Sequence, residues 1–218
     1  MENTDLWLYA INKQAHQRAI GYIPTIEEYI ELRRLSSACK PFFDLIEYAF
    51  DFQLPTFIIE DPLIMTLNDC ANDFVAFSNV SCSSMLSFRS STCDTFDFLL
   101  QDMFSYNAER SRGDTHNIVA IIMHHEELDL QGSIDRAGDM CRAVMDKYIE
   151  TKGKLPSYGA VLDKQVAAYM QGLESWMTGN IDWSFVTRRY FGDEGAEIKR
   201  TRSVTLLRGR MSQGGQIQ

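Results

Sequence analysis

Two oxygen-bearing side chains lie four residues apart in the segment 102–109, Asp-Met-Phe-Ser-Tyr-Asn-Ala-Glu. At this spacing Ser105 and Glu109 lie one above the other on a single face of a helix. A hydroxyl and a carboxylate so placed can share a hard cation, because Mg²⁺ prefers oxygen ligands. Most Ser/Glu pairs at this spacing are solvated surface, so the pair alone is weak evidence for a metal site.

A third oxygen ligand comes into register when residues 80–101 are left out. Ten of the 22 residues in this segment are Ser, Thr or Cys, and neither a helical nor a strand period persists through it. Without the segment, Asn79 stands four positions before Ser105 and eight before Glu109. The three side chains then fall within about 80° of one another around one helix. If 80–101 is an insert, Asn79, Ser105 and Glu109 form a candidate set of oxygen ligands for one cation.

Composition narrows the class of protein. The 218 residues are 45% hydrophobic and 23% charged, which is typical of one soluble globular domain. A net charge of −9 argues against nucleic acid as a partner. The acidic start and the short apolar runs predict neither secretion nor membrane insertion. Five cysteines without a C-x-x-C pair favour reduced thiols and a cytoplasmic location over a zinc site or disulfides.

Helical patterns dominate the chain, and we predict an all-α helical bundle. A first helix ends near Gly21, and Thr25 with Glu28 forms a capping box that begins the next one. The further helices are predicted at about 41–50, 61–79, 102–111, 114–127, 132–151, 157–178 and 180–191. No stretch alternates well enough for a sheet. The basic, polar end is interpreted as a mobile tail that occupies 193–218.

The string that joins 77–79 to 102–109, Phe-Ser-Asn-Asp-Met-Phe-Ser-Tyr-Asn-Ala-Glu, resembles the second metal-binding motif of class I terpene synthases, N-D-x-x-S-x-x-x-E. The following Arg-Gly-Asp-Thr-His-Asn at 112–117 resembles the continuation of that motif in fungal sesquiterpene synthases. Tyr-Ile-Glu-Leu-Arg-Arg at 29–34 is similar to the family segment that carries the diphosphate-sensing arginine, which maps to Arg34.

The late part of the chain is similar to the same family. Residues 172–180 and 183–185 resemble its late helices, which close with an Arg-Tyr pair that maps to Arg189 and Tyr190. The resemblance runs from about residue 5 to residue 192, apart from 80–101. It implies a partial class I terpene synthase domain at 1–192, with the N-terminal helices of the complete fold missing.

This resemblance implies an enzyme of the lyase class. The complete enzyme would ionise farnesyl diphosphate with Mg²⁺, three ions in all, cyclise the carbocation and release diphosphate. Arg34, Arg189 and Tyr190 would bind the diphosphate, because guanidinium and phenol groups donate hydrogen bonds to its oxygens. Whether the enzyme forms a homodimer stays open. The candidate aromatic walls for the cation are Phe74, Phe77, Trp176 and Trp183.

Two departures from the family pattern predict little or no turnover by this chain. The family's aspartate-rich D-D/E-x-x-D motif precedes the sensing arginine, and no such motif stands before Arg34 here. The insert would also separate Asn79 from the rest of its motif, and we interpret 80–101 as a retained intron. A smaller difference is Ala38, which stands where the family usually has a glycine, with Ser37 before it in the linker position.

Alternatives from other classes stay open or fail. A non-catalytic helical remnant of the family is the main rival. Prenyl chain elongation would need two aspartate-rich motifs, which the sequence lacks. A metallopeptidase would need H-E-x-x-H, but Asp129 stands four residues after His125. Nucleotide-binding and nucleophile-elbow motifs do not occur either.

Overall fold

The computed structural model describes residues 3–77, 105, 106, 109 and 114–201. Within these residues the structure has ten helices with defined bounds and no strand, which confirms the all-α prediction. The helices are α1 (Asn3–Ala19), α2 (Ile26–Ser36), α3 (Cys39–Ala49), α4 (Thr56–Ile59), α5 (Pro62–Phe77), α6 (Ile118–His125), α7 (Leu130–Lys152), α8 (Ala160–Val186), α9 (Arg188–Phe191) and α10 (Gly195–Thr201).

The start of α2 follows the predicted capping box. Thr25 Oγ1 accepts a hydrogen bond from the backbone N–H of Glu28 at 3.2 Å, and Glu28 Oε2 accepts one from the backbone N–H of Thr25 at 3.0 Å. The Tyr22 hydroxyl donates to the same carboxylate at 2.8 Å. Two N–H groups that lack a partner inside the helix are thereby satisfied, and this sets the first residue of α2.

Helix α5 lies at the centre of the bundle and packs against α2, α3, α7 and α8. Its apolar stripe carries Leu67 and Phe74, which are fully buried. Tyr148 of α7 and Leu173 of α8 belong to the same core cluster. A second cluster joins Phe77 at the end of α5 to α2, α6 and α7. Burial of each such side chain stabilises the fold by about 1.5–3 kcal/mol, so this stripe holds α5 and its side chains in place.

The predicted break between 178 and 180 is wrong. Helix α8 continues from Ala160 to Val186, through Gly179 and Asn180. The hydroxyl of Ser184 donates to the backbone carbonyl of Asn180 at 2.7 Å. The polar side chain of Ser184 is thus hydrogen-bonded within the helix and does not end it. Met177 and Phe185 are buried on either side of the glycine. Their packing outweighs the cost of about 1 kcal/mol that glycine imposes on a helix interior.

The end of the chain differs from the prediction as well. The segment 195–201, assigned from the sequence to the mobile tail, forms α10. Ile198 is buried in a cluster with Phe185, and Lys199 Nζ lies 3.0 Å from Asp182 Oδ1. An apolar contact with α8 therefore orders this first part of the basic segment, and 202–218 lie outside the described residues.

The remaining differences are several helix ends and one short helix. Helix α6 begins at Ile118 rather than 114, because Asn117 caps it, and α8 begins three residues later than predicted. The single turn α4 was not predicted. The predicted helix 102–111 lies mostly outside the described residues. In the described ranges, no helix combines the length and the apolar character needed to cross a bilayer.

Candidate functional site

Arg34 lies in the last turn of α2 and forms a two-pronged ion pair with Asp73 of α5. Its Nε donates to Asp73 Oδ1 at 2.6 Å, and its Nη2 donates to Oδ2 at 2.5 Å. The third nitrogen, Nη1, is 3.5 Å from Asp69 Oδ2. The hydrogen bonds from Arg34 to Asp73 raise the pKa of the guanidinium. Arg34 is therefore a fully charged group held against α5.

A cavity of about 280 Å³ opens beside this ion pair, between α2, α5 and α7. Its polar lining consists of Arg34, Thr66, Asp69, Cys70, Asp73 and Lys147. Burial raises the pKa of the Cys70 thiol to about 11, so at neutral pH it is protonated and a poor nucleophile. The lining carries two cations, Arg34 and Lys147, and two carboxylates, Asp69 and Asp73. The planar guanidinium of Arg34 is suited to donate paired hydrogen bonds to phosphate oxygens.

The chain kinks sharply where α2 ends and α3 begins. Ala38 takes a left-handed conformation with φ 61° and ψ 7°, which favours glycine. Ala38 stands where the resemblance predicts a glycine. The Ser37 hydroxyl donates to Asn72 Oδ1 at 2.7 Å, and the Asn72 side-chain amide donates to the backbone carbonyl of Arg34 at 2.8 Å. The kink is thereby tied to α5.

Ser105 and Glu109 converge on one side-chain amide, that of Asn117. Asn117 Nδ2 is 3.0 Å from Glu109 Oε2 and 3.3 Å from Ser105 Oγ. Its Oδ1 accepts a hydrogen bond from the backbone N–H of Val119 at 2.9 Å and so caps α6. The two predicted ligands therefore do lie on one face. Burial raises the pKa of Glu109, and the hydrogen bond from Asn117 opposes this shift.

The residues before α6 link this region to α1. Asp114 pairs with Arg18, with a distance of 3.0 Å from Nε to Oδ2, and it accepts a hydrogen bond from the backbone N–H of His116 at 2.9 Å. The His116 ring is buried, and its Nε2 lies 3.2 Å from Gln17 Oε1. Positive charge on Arg18 and Arg33 acts on Glu109. One arginine of α1 and one of α2 thus oppose the effect of burial and act to lower the pKa of a predicted metal ligand, Glu109.

Arg189 and Tyr190 lie together on the short helix α9, after the end of α8. The guanidinium carbon of Arg189 is 5.5 Å from the centroid of the Tyr190 ring. The Trp183 ring meets Tyr190 edge-on, with centroids 6.1 Å apart. Arg189 is exposed and Tyr190 is half-buried.

The four candidate aromatic walls separate into two groups. Phe74 and Phe77 are buried in the two core clusters, where they pack the bundle. Trp176 and Trp183 are 37% and 48% exposed. Trp176 contacts Phe42, with centroids 5.5 Å apart. The two tryptophans are therefore partly open to solvent, whereas the two phenylalanines serve the core.

The donor set around Ser105 fits a hard cation in part. A carboxylate and a hydroxyl oxygen are ligands that Mg²⁺ accepts, with water completing the shell. Within the residues that the structure describes, no three His, Cys, Asp or Glu side chains gather as a metal-binding group. The third predicted ligand, Asn79, lies outside the described residues.

Three residues of the site were missed by sequence reasoning. Asn117 could have been found as a cap, because it directly precedes the apolar run of α6. Asp73 interrupts the apolar stripe of α5, and a buried acid in such a stripe signals a partner. Lys147 lies on an exposed part of α7, and nothing in the sequence distinguishes it from other surface lysines.

Comparison with known proteins places these features in a family. A family model described as terpene synthase family 2, C-terminal metal binding, matches residues 1–147. An alpha-muurolene synthase of Coprinopsis cinerea is 46% identical over 198 residues, which are 91% of this chain and 41% of that protein. Sesquiterpene synthase Agr1 of Cyclocybe aegerita is 40% identical over 95% of this chain and 54% of its own length.

Solved structures agree at the level of the fold. An a-eudesmol synthase superposes with a TM-score of 0.67 at 20% identity, over 85% of this chain and 54% of that one. A linalool/nerolidol synthase from Streptomyces clavuligerus also gives 0.67, at 18% identity, over 83% of this chain and 57% of that one. The chain spans about half the length of the curated relatives it matches. By the family match along most of its length, this chain belongs to terpene synthase family 2 and carries its C-terminal metal-binding part.

Proposed function

We propose that this chain is the metal- and diphosphate-binding part of a sesquiterpene synthase, a lyase whose substrate is farnesyl diphosphate. The observation that carries the proposal is the convergence of Ser105 and Glu109 on the buried amide of Asn117. This contact keeps the Ser105 hydroxyl and the Glu109 carboxylate close together, as joint coordination of one cation would require. The curated relatives named as sesquiterpene synthases support the choice of substrate class.

In this proposal Asn79, Ser105 and Glu109 hold Mg²⁺, with three ions in a complete enzyme. The bound metal would neutralise negative charge that develops on the leaving diphosphate. Arg34, Arg189 and Tyr190 would donate hydrogen bonds to the diphosphate oxygens. Ionisation breaks the bond between the allylic carbon and the diphosphate oxygen, and the electron pair leaves with diphosphate. A cytoplasmic location and a homodimer stay predictions.

The proposal is tested by calorimetric titration of the 218-residue chain with inorganic pyrophosphate, with and without Mg²⁺. We expect binding that requires Mg²⁺ and that is lost in Glu109→Gln and Ser105→Ala. A matched control is Glu197→Gln, which removes an exposed carboxylate of α10 and should bind as the wild type does. Equal binding by the wild type and Glu109→Gln would refute the proposed metal site. Lack of binding by the wild type would favour the non-catalytic remnant.

Turnover is a separate question. We expect little or no hydrocarbon product when these 218 residues are incubated with farnesyl diphosphate and Mg²⁺, because they span about half the length of the curated relatives. Analysis of the extracted volatile products checks this expectation. A cyclic sesquiterpene formed at ordinary enzymatic rates would contradict it and would show that these residues suffice for catalysis.

A further inference from the structure

Two consecutive residues of α5, Asn72 and Asp73, hold opposite ends of Arg34. Asp73 binds the guanidinium, whereas Asn72 binds the backbone carbonyl of the same residue. Both side chains are buried, with exposed fractions of 0% for Asn72 and 5% for Asp73. Buried polar groups are costly unless they are hydrogen-bonded, so contacts of this kind persist in the folded state.

The Asn72 amide has one orientation that satisfies its neighbours. Its nitrogen must face the carbonyl of Arg34, which accepts, and its oxygen must face the hydroxyl of Ser37, which donates. The Ser37 hydroxyl oxygen in turn accepts from the backbone N–H of Cys39 at 3.2 Å. Carbonyls in the last turn of a helix lack partners inside it, and Asn72 supplies one at the end of α2. The backbone of Arg34 is thus fixed to α5.

Asp73 then holds the side chain by one edge of the guanidinium. Its two oxygens occupy Nε and Nη2 of Arg34 at 2.6 and 2.5 Å. Nη1 lies 3.5 Å from Asp69, at the outer limit of a hydrogen bond. The N–H bonds of this nitrogen are fixed in the guanidinium plane, and the long contact with Asp69 leaves them able to donate to an anion without breaking the pair with Asp73. A guanidinium held in place loses less side-chain entropy when it binds an anion.

We propose that Asp73 is a positioning residue for diphosphate recognition: its carboxylate holds the guanidinium of Arg34 so that the Nη1 edge faces the cavity. This inference rests on the proposed function, in which Arg34 contacts diphosphate. The negative charge of Asp73 alone would weaken diphosphate binding, because a carboxylate close to an anion site repels the anion. The proposed role of Asp73 is the opposite one, to favour binding.

The direction in which pyrophosphate affinity changes in two variants separates a positioning role of Asp73 from simple electrostatics. Asp69→Asn and Asp73→Asn each remove one negative charge beside Arg34 and keep nearly the same side-chain volume. Coulomb's law alone predicts that both variants bind pyrophosphate more tightly. Positioning predicts tighter binding for Asp69→Asn but weaker binding for Asp73→Asn, since an amide cannot accept both guanidinium hydrogen bonds with charge assistance.

Calorimetric titration with pyrophosphate in saturating Mg²⁺ measures this difference on the full chain. We expect the affinity of Asp73→Asn to fall about tenfold or more, as is usual when the partner that orients a binding group is lost. In the Arg34→Ala background, Asp73→Asn should cause no further loss, because Asp73 acts through Arg34. Unchanged or tighter binding by Asp73→Asn in the wild-type background would overturn the proposal. So would a tenfold loss in the Arg34→Ala background.

A second measurement does not need pyrophosphate. The NMR signal of the Arg34 Nε–H group, assigned by its loss in Arg34→Lys, should be resolved and slow to exchange in the wild type and in Asp69→Asn. It should broaden or exchange rapidly in Asp73→Asn. A wild-type Nε–H that exchanges as fast as a solvent-exposed arginine would refute the role of Asp73 by itself. If the wild type does not bind pyrophosphate, the proposed function fails, while this signal still reports whether Asp73 holds Arg34.

Discussion

The side-chain amide of Asn117 donates a hydrogen bond to the carboxylate of Glu109 at 3.0 Å. The same amide group caps α6 through its oxygen, which accepts from the backbone N–H of Val119. The cap requires Oδ1 to face the helix, and Nδ2 must then face Glu109 and Ser105. A helix start and a candidate metal site therefore share one side chain.

Asn117→Ser separates these two roles. Serine still caps a helix, so the melting temperature should change little, but the donor to Glu109 and Ser105 is lost. We expect the Mg²⁺ concentration for half-maximal pyrophosphate binding to rise about 10- to 100-fold, which is the usual cost of losing an outer-shell partner. Asn117→Ala should show the same rise and also lose about 1 kcal/mol of stability. An unchanged Mg²⁺ requirement in Asn117→Ser would show that Asn117 serves only as a cap.

Ala38→Gly should stabilise the protein. Alanine at φ 61° carries a left-handed strain of about 1–2 kcal/mol, whereas glycine adopts this conformation freely. The greater freedom of glycine in the unfolded chain offsets about 0.4–1 kcal/mol of this gain. We expect a net increase of about 0.5–1 kcal/mol in the free energy of unfolding, measured by urea titration. Ala167→Gly on the exposed face of α8 is the control and should lose about 1 kcal/mol.

Gly172→Ala should destabilise the contact between α3 and α8. A Cβ atom at Gly172 would lie 2.4 Å from Cγ2 of Ile46, far inside van der Waals contact. Overpacking of this kind costs about 1–3 kcal/mol, which thermal unfolding would detect. Ile46→Ala alone should also destabilise the core, but the double variant should lose less than the sum of the two single losses, because the shortened side chain leaves room for the new Cβ atom. Additive losses in the double variant would show that the two side chains do not compete for the same space.

His116 should make stability depend on pH. Burial, and then the charge of Arg18, lower the pKa of His116 below its ordinary value of 6.5, and Asp114 opposes this. As the pH falls, His116 therefore binds a proton in the unfolded chain before it does so in the folded protein. The contribution of His116 is complete above pH 6.5 and falls as the pH drops from 6.5 through the folded pKa, by at most about 1.4 kcal/mol per pH unit.

Urea unfolding between pH 7.5 and 5 measures this effect as the difference between the wild type and His116→Gln. We expect that difference to shift in favour of the variant as the pH falls. His124→Gln, at an exposed position on α6, should follow the wild type. A constant difference between the wild type and His116→Gln would mean that His116 has the same pKa in the folded and unfolded states.

Deletion of residues 80–101 should strengthen pyrophosphate binding in Mg²⁺. The deletion places Asn79 four positions before Ser105, which brings three oxygen ligands to one side of one helix. Calorimetry on the shortened chain measures the gain, and Asn79→Ala within that chain should abolish it. Weaker binding after the deletion would argue against the interpretation of 80–101 as an insert.

The fold was predictable wherever a local rule decided the outcome. The capping box at Thr25 and the apolar stripe of α5 act within one or two turns of helix, so the sequence predicted both elements. The break predicted at Gly179 failed because a local cost of about 1 kcal/mol was outweighed by packing of the flanking residues.

In the candidate site, too, local features were predictable and contacts between distant segments were not. The sequence by itself determined that Ser105 and Glu109 share a helix face, since a spacing of four residues is a property of the helix alone. Only the tertiary structure decided that Asp73 pairs with Arg34, 39 residues away, and that the Asn117 amide contacts both Ser105 and Glu109. These contacts join separate segments of chain, and their geometry depends on how α5 packs against its neighbours in the bundle, which no local pattern specifies.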